Sequence, residues 1–164
     1  MIGIRDVREA DAGELARICN HYIEHSVATF EECPVFGAEM ASRMEWVHGQ
    51  GGVWLVLEGP QGLLGYAYGG LWQARSAYCF TAEVTVYLDA RATGAGRGAA
   101  LYTQLIPRLA ASGFYSLVAG ISLPNGASVA LHERCGFHKV AHFVQAGWKF
   151  GHWVDVGYWQ RALA

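Results

Sequence analysis

Apolar residues recur along the chain with two alternating periods. Ile2 to Arg5 predicts a short first strand, and Asp11 stands where a helix N-cap belongs. Leu15, Ile18, Cys19 and Tyr22 then follow at the three-to-four spacing of one helix face. A second helix is predicted over Ala38–Val47, with Met40, Met44 and Val47 on one side and Gly49 to Gly52 as its stop. Val53 to Leu57 is a continuous apolar strand. The turn Gly59-Pro60-Gln61-Gly62 and the run Leu63 to Leu71 complete a hairpin. Thr81 to Leu88 predicts another strand, with Val84, Val86 and Leu88 alternating. A helix from about Gly98 to Ala111 places Leu101, Leu105 and Leu109 on its inner face, and Pro107 should bend it. Leu117 to Leu123 reads as a strand, Ala127 to Cys135 as a helix closed by Gly136, and Val140 to Phe143 and Trp153 to Gln160 as the last strands. Helices and strands mixed around one sheet give a fold class of α/β or α+β.

Length and composition narrow this picture. The 164 residues suit one compact domain over 1–164, and a 52% hydrophobic content supplies its core. A formal net charge of -2 argues against a nucleic-acid or anionic-membrane binder, both of which want a basic surplus. The most apolar region, Ala99 to Leu123, is broken by Gln104, Pro107 and Arg108, so no membrane span is expected. The first residues lack the apolar stretch of a secretory leader, and a cytoplasmic location is expected. Cys19, Cys33, Cys79 and Cys135 show no CxxC spacing, so reduced thiols and no metal site are expected. His21 and His25 share a helical spacing but have no third ligand beside them.

The stretch Arg91-Ala92-Thr93-Gly94-Ala95-Gly96-Arg97-Gly98-Ala99 lies between a strand and a helix. Glycines let the backbone approach a ligand, and the helix start aims unpaired N–H groups at it, a fit for phosphate oxygens. Arg91 and Arg97 are placed to add charge. The spacing alone equally allows a tight turn of small residues packed under the sheet. It is neither a dinucleotide fingerprint nor a P-loop.

In its context this loop resembles the acetyl-CoA signature of the GNAT acetyltransferases: Arg or Gln, two residues, Gly, one residue, then Gly or Ala. The signature falls on Thr93 to Gly98, with Thr93 in place of the usual Arg or Gln. Asn125, His132 and Gly136-Phe137 resemble the second cofactor segment, with His132 where the family commonly has Tyr. That histidine, with Asn20 to Glu24, Trp72 to Tyr78, Glu83 to Tyr87, Leu123-Pro124-Asn125 and Lys149 to Trp153, is similar to the phosphinothricin and methionine sulfoximine N-acetyltransferase branch.

The resemblance implies a GNAT fold whose central strands splay apart. It implies acetyl-CoA as co-substrate, held by the strand edge Val86, Tyr87 and Leu88, by Thr93, Gly94, Ala95, Gly96, Arg97, Gly98 and Ala99, and by Asn125. It also implies a homodimer and a small-molecule amine as partner. Glu83 becomes the base that deprotonates the amine; from sequence alone it is equally a strand-end carboxylate facing water. His132 becomes a proton relay, or else a half-buried structural histidine. Arg75 is the candidate grip for a substrate carboxylate, or else a surface arginine stacked on an aromatic. Phe30, Trp72, Tyr78 and Thr85 complete the expected acceptor pocket, and Gln73 stands where the resembling enzymes often carry a basic residue. A neutral sulfone or sulfoximine side chain suits Gln73 better than a phosphinate. The implied activity is acetyl transfer to the α-amine of a small amino acid or analogue. Its rivals are acetylation of a polyamine, aminoglycoside or protein N-terminus, and a non-catalytic acyl-CoA sensor.

Overall fold

The computed structural model describes residues 1–164. Its strands are β1 (Gly3–Asp6), β2 (Val53–Gly59), β3 (Gly62–Leu71), β4 (Thr81–Leu88), β5 (Ser116–Leu123), β6 (His138–Lys149) and β7 (His152–Ala162). Its helices are α1 (Ala12–His25), α2 (Gly37–Gly49), α3 (Arg97–Ala111) and α4 (Gly126–Arg134). The strands form one sheet in the order β1-β2-β3-β4-β5-β7-β6. Every neighbouring pair is antiparallel except β4 and β5, which run parallel.

Alternation along the strands feeds two cores. Val53, Leu55 and Leu57 of β2 join Leu101, Leu105 and Leu109 of α3 on one face. Trp54 and Val56 point the other way, to Leu15, Ile18 and Cys19 of α1 and Met40, Met44 and Val47 of α2. Gly69 and Gly70 of β3 let helices approach both faces: a Cβ on Gly69 would run into Leu109, and one on Gly70 would touch Val47. No helix is long and apolar enough to cross a membrane.

Three details differ from the sequence reading. The carboxylate of Asp11, at the α1 N-cap, does not cap its own helix; it accepts from Arg5 at 2.8 and 2.9 Å and from the Arg8 N–H at 2.7 Å. A guanidinium outcompetes the helix N–H groups for it. Helix α3 begins at Arg97, because Gly96 takes the left-handed N-cap conformation at φ 71°. Strand β6 runs from His138 to Lys149, well beyond Val140–Phe143. It is an edge strand with only Gly147 and Lys149 buried, so alternation cannot mark it, and its pairing shifts between Phe143 and Gly147.

Candidate active site

The site begins where the sheet comes apart. Strands β4 and β5 pair only at Thr81↔Ser116, Ala82↔Leu117 and Glu83↔Val118. Beyond Glu83, β4 stays with β3 as far as Leu88↔Gly65, while β5 follows β7 as far as Leu123↔Asp155. The β4 edge from Val84 to Leu88 therefore has no strand partner on the β5 side. A cavity of about 910 Å³ fills the opening, lined by Glu83 to Leu88, the glycine loop, the first turns of α3, Gly120 to Ser122, α4, Phe30 and Tyr158.

Two helix starts frame this cavity. At the first, Gly94 (φ 85°) and Gly96 (φ 71°) adopt the left-handed conformation that side chains disfavour, leaving the N–H groups of Arg97, Gly98 and Ala99 at the mouth of α3. Gly98 is buried, and a Cβ there would meet Leu131 Cδ2 at 2.9 Å, so glycine sets how closely α3 packs on α4. At the second, Asn125 caps α4 by accepting from the Ser128 N–H at 3.1 Å. The nearby arginines are partly occupied. Arg91 forks onto Asp89 at 3.0 Å in both arms, and Arg97 donates to the Ala92 carbonyl at 2.8 Å. Asp89 is buried and also receives Arg17 at 2.6 Å; these partners, Arg91 foremost, hold its carboxyl far below the usual range.

Glu83 sits at the apex of the split. It is half-buried, forms no hydrogen bond or ion pair within the chain, and burial alone pushes its pKa above the ordinary carboxylate range. Tyr158 on the facing wall is raised first by burial and then by the charge of Glu83. His132 projects from α4 into the same cavity and is 4% exposed. Its Nδ1 lies 2.7 Å from the Ser128 carbonyl and its Nε2 lies 2.9 Å from the Tyr102 hydroxyl. Burial lowers its pKa, with the Ser128 carbonyl opposing the shift.

The wall carrying Phe30 belongs to the segment between α1 and α2. Lys149 pins it. This residue is 1% exposed, and its Nζ donates to the carbonyls of Ser26 at 2.7 Å and Thr29 at 2.8 Å. The Phe30 ring rests on Gly147, where any Cβ would collide with it.

Most of the residues singled out from sequence meet at this cavity: Glu83, His132, Phe30, Thr85, Val86, Tyr87, Leu88, Thr93, Gly94, Gly96, Arg97, Gly98, Ala99 and Asn125. Ala95 is exposed and lies off the lining. Trp72, Gln73, Arg75 and Tyr78 also lie outside it, on the segment joining β3 to β4. There Trp72 meets Tyr78 edge to face at 5.3 Å, while Gln73 and Arg75 are exposed. The segment returns to the sheet beside Glu83, since the Trp72 N–H donates to the Thr81 carbonyl at 3.1 Å. Among the lining residues that escaped the sequence reading are Tyr102, hidden beside the leucines of α3, and Tyr158; Lys149, behind the Phe30 wall, was quoted only as part of a motif.

A parallel pair that splits at a half-buried carboxylate, beside a glycine cradle at a helix start, forms a site able to take a phosphate-bearing co-substrate next to a base. Residues 4–157 match the acetyltransferase (GNAT) domain family. A phosphinothricin N-acetyltransferase of Streptomyces viridochromogenes is 42% identical over 95% of this chain and 86% of its own length. An L-methionine sulfoximine/L-methionine sulfone acetyltransferase of Pseudomonas paraeruginosa is 35% identical over 98% and 94%. The phosphinothricin acetyltransferase of Sinorhizobium meliloti, solved in complex with acetyl-CoA, superposes with a TM-score of 0.95 at 35% identity over 99% of this chain and 89% of that one. The chain belongs to the GNAT family and is an acetyl-CoA-dependent N-acetyltransferase. The cavity suits that co-substrate: an unpaired strand edge can bond an amide-bearing arm, and the cradle of α3 can take phosphate oxygens.

Proposed function

We propose that this enzyme acetylates the α-amine of a small amino acid or analogue of the phosphinothricin, methionine sulfone or methionine sulfoximine type. The observation that carries this reading is Glu83, a half-buried carboxylate without a partner, at the fork of β4 and β5 and in the same cavity as His132. An ammonium acceptor has no lone pair. Glu83, directly or through a water, takes its first proton, and its raised pKa suits a base working near neutrality. The amine then attacks the thioester carbonyl directly, with no acetyl-enzyme. His132 handles the second proton, moving it from nitrogen to the departing thiolate.

Arg75 is the grip for the acceptor carboxylate. It is exposed and makes no ion pair in its own chain, and its segment closes on β4 two residues before Glu83. Phe30 and Thr85 line the cavity, Trp72 and Tyr78 extend the acceptor pocket from the adjoining β3–β4 segment, and uncharged Gln73 favours a sulfone or sulfoximine over a phosphinate. The enzyme acts in the cytoplasm as a homodimer; exposed Phe143, Val144, Trp148 and Trp153 on the β6–β7 hairpin support self-association.

Two substitutions test the assignment. Glu83→Gln is expected to lower kcat by about 10²–10⁴-fold, the range for a general base. Arg75→Ala is expected to raise the acceptor KM by about tenfold or more through loss of a charge-assisted hydrogen bond. Unchanged turnover of every amino acid in both variants would remove the reading.

A further inference from the structure

A second, smaller cavity lies under helices α1 and α2. It measures about 160 Å³, and Cys19, Met40, Arg43, Trp54, Tyr66 and Tyr68 line it. Thr29, Thr85 and Tyr87 line both this cavity and the large one, so the two share a wall. Side chains alternate along β4. Val84 and Val86 join the core against α3, which leaves Glu83, Thr85 and Tyr87 on the opposite face. The strand register lays a row across that face: Thr85 is opposite Tyr68, Tyr68 is opposite Trp54, and the Trp54 and Tyr68 rings stack at 4.1 Å. Burial pushes the Tyr68 hydroxyl above its ordinary pKa, and the Glu83 carboxylate adds to that shift. The row therefore begins beside Glu83 and runs into the second cavity. Its lining is polar but carries no free charge. Arg43 donates to Glu31 through both terminal nitrogens and to Glu39 through Nε at 3.2 Å. Trp54 is 1% exposed, and its Nε1 is the only buried side-chain nitrogen or oxygen in the protein without a hydrogen-bond partner. Such a donor costs stability until an acceptor reaches it.

We propose that this second cavity is the subsite for the acceptor side chain, and that Trp54 and Tyr68 select an uncharged side chain ending in a hydrogen-bond-accepting oxygen. The inference rests on the amino-acid acceptor proposed above. With the α-amine at Glu83, the side chain passes Thr85 and enters the space over Tyr68. The volume is well below the roughly 300–1,000 Å³ of a pocket for a whole ligand, so it takes one side-chain end and not a second substrate. Sulfone and sulfoximine oxygens accept hydrogen bonds, and the Trp54 indole N–H and the Tyr68 hydroxyl are donors for them. Cys19 and Met40 give the terminal methyl an apolar surface. An anionic end finds no free cation, because Arg43 already serves two carboxylates. A carboxylate or phosphinate would lose its water there without a countercharge. Methionine itself fills the space but leaves the Trp54 N–H unpaired. Selection for the neutral sulfur oxides thus has a source inside the sheet, separate from Gln73 on the exposed segment between β3 and β4.

The experiment measures acetylation of methionine sulfone by the full chain and by its Trp54→Phe and Tyr68→Phe variants, with methionine compared as substrate or competitive inhibitor. Each variant keeps a ring in the stack and loses one donor. The kcat/KM for methionine sulfone is expected to fall about tenfold in each, while methionine binding and the acetyl-CoA KM stay within about twofold. A purely structural role would weaken methionine and its sulfone alike, and that result would overturn the subsite. Unchanged kcat/KM for methionine sulfone in both variants would also overturn it, while N-acetyl methionine sulfone as product would leave the acceptor reading in place. A parent enzyme that acetylates no amino acid would overturn both. If Trp54→Phe does not fold, Tyr68→Phe decides alone: a loss confined to the sulfone supports the subsite, and a loss shared with methionine, or none, overturns it.

Discussion

Lys149 offers a separation of loop order from chemistry. Its ammonium is buried and donates to two backbone carbonyls of the segment that carries Phe30. Hydrogen bonds from a charged donor contribute about 1.5–3 kcal/mol each. Burial of the ammonium opposes that gain, and it also lowers the lysine pKa. Lys149→Met removes both bonds and the desolvation cost together and keeps the apolar stem in place. The Ser26 and Thr29 carbonyls then satisfy themselves only by turning to water, so the segment opens. A net shift of about 2 kcal/mol cuts the closed-to-open ratio by about 30-fold. The acceptor KM should rise by up to that factor, while the affinity for acetyl-CoA holds, because the glycine cradle is on a different wall. Steady-state kinetics with methionine sulfone and calorimetry with acetyl-CoA read the two effects separately. A lowered melting temperature with an unchanged acceptor KM would refute the reasoning, since Lys149 would then hold the fold and not the pocket.

Other consequences follow from single groups. Folding raises the pKa of Glu83, so its carboxylate costs stability above the folded-state value and nothing below the unfolded one. Glu83→Gln should therefore unfold at higher denaturant than the parent at pH 7, with the difference closing as pH falls through the raised pKa. The acid limb of kcat/KM that reports this deprotonation should be absent from the variant. Gly96→Ala meets open space but keeps φ 71°, a backbone penalty of about 1–2 kcal/mol, so acetyl-CoA should bind about 5–30-fold more weakly in calorimetry.

The legible parts of the chain were those where burial imposes a period. Leu101, Leu105 and Leu109 are fully buried, and their spacing announced α3 within a residue of its ends. Val53 to Leu57 was plain because both faces of β2 are covered. Strand β6 was half hidden because an exposed edge strand needs no alternation. The glycine loop was visible as a motif, but only the structure separates its parts: Gly94 and Gly96 for positive φ, Gly98 for packing against Leu131. Glu83 was conspicuous as a carboxylate inside an apolar run, whereas its position at the fork depends on pairing with Val118, a contact between distant segments. Tyr102 and Lys149 were illegible for a shared reason. Each does its polar work through one atom at the end of an otherwise apolar side chain, and local sequence shows only the apolar part.

The most direct test of the account is thiol release from acetyl-CoA with methionine sulfone, methionine sulfoximine, phosphinothricin, spermidine and kanamycin as acceptors, with products identified by mass. The account predicts an N-acetylated amino-acid analogue, with the sulfone or sulfoximine preferred over phosphinothricin. Turnover confined to spermidine or kanamycin would contradict it, because an acceptor without a carboxylate gives Arg75 nothing to hold.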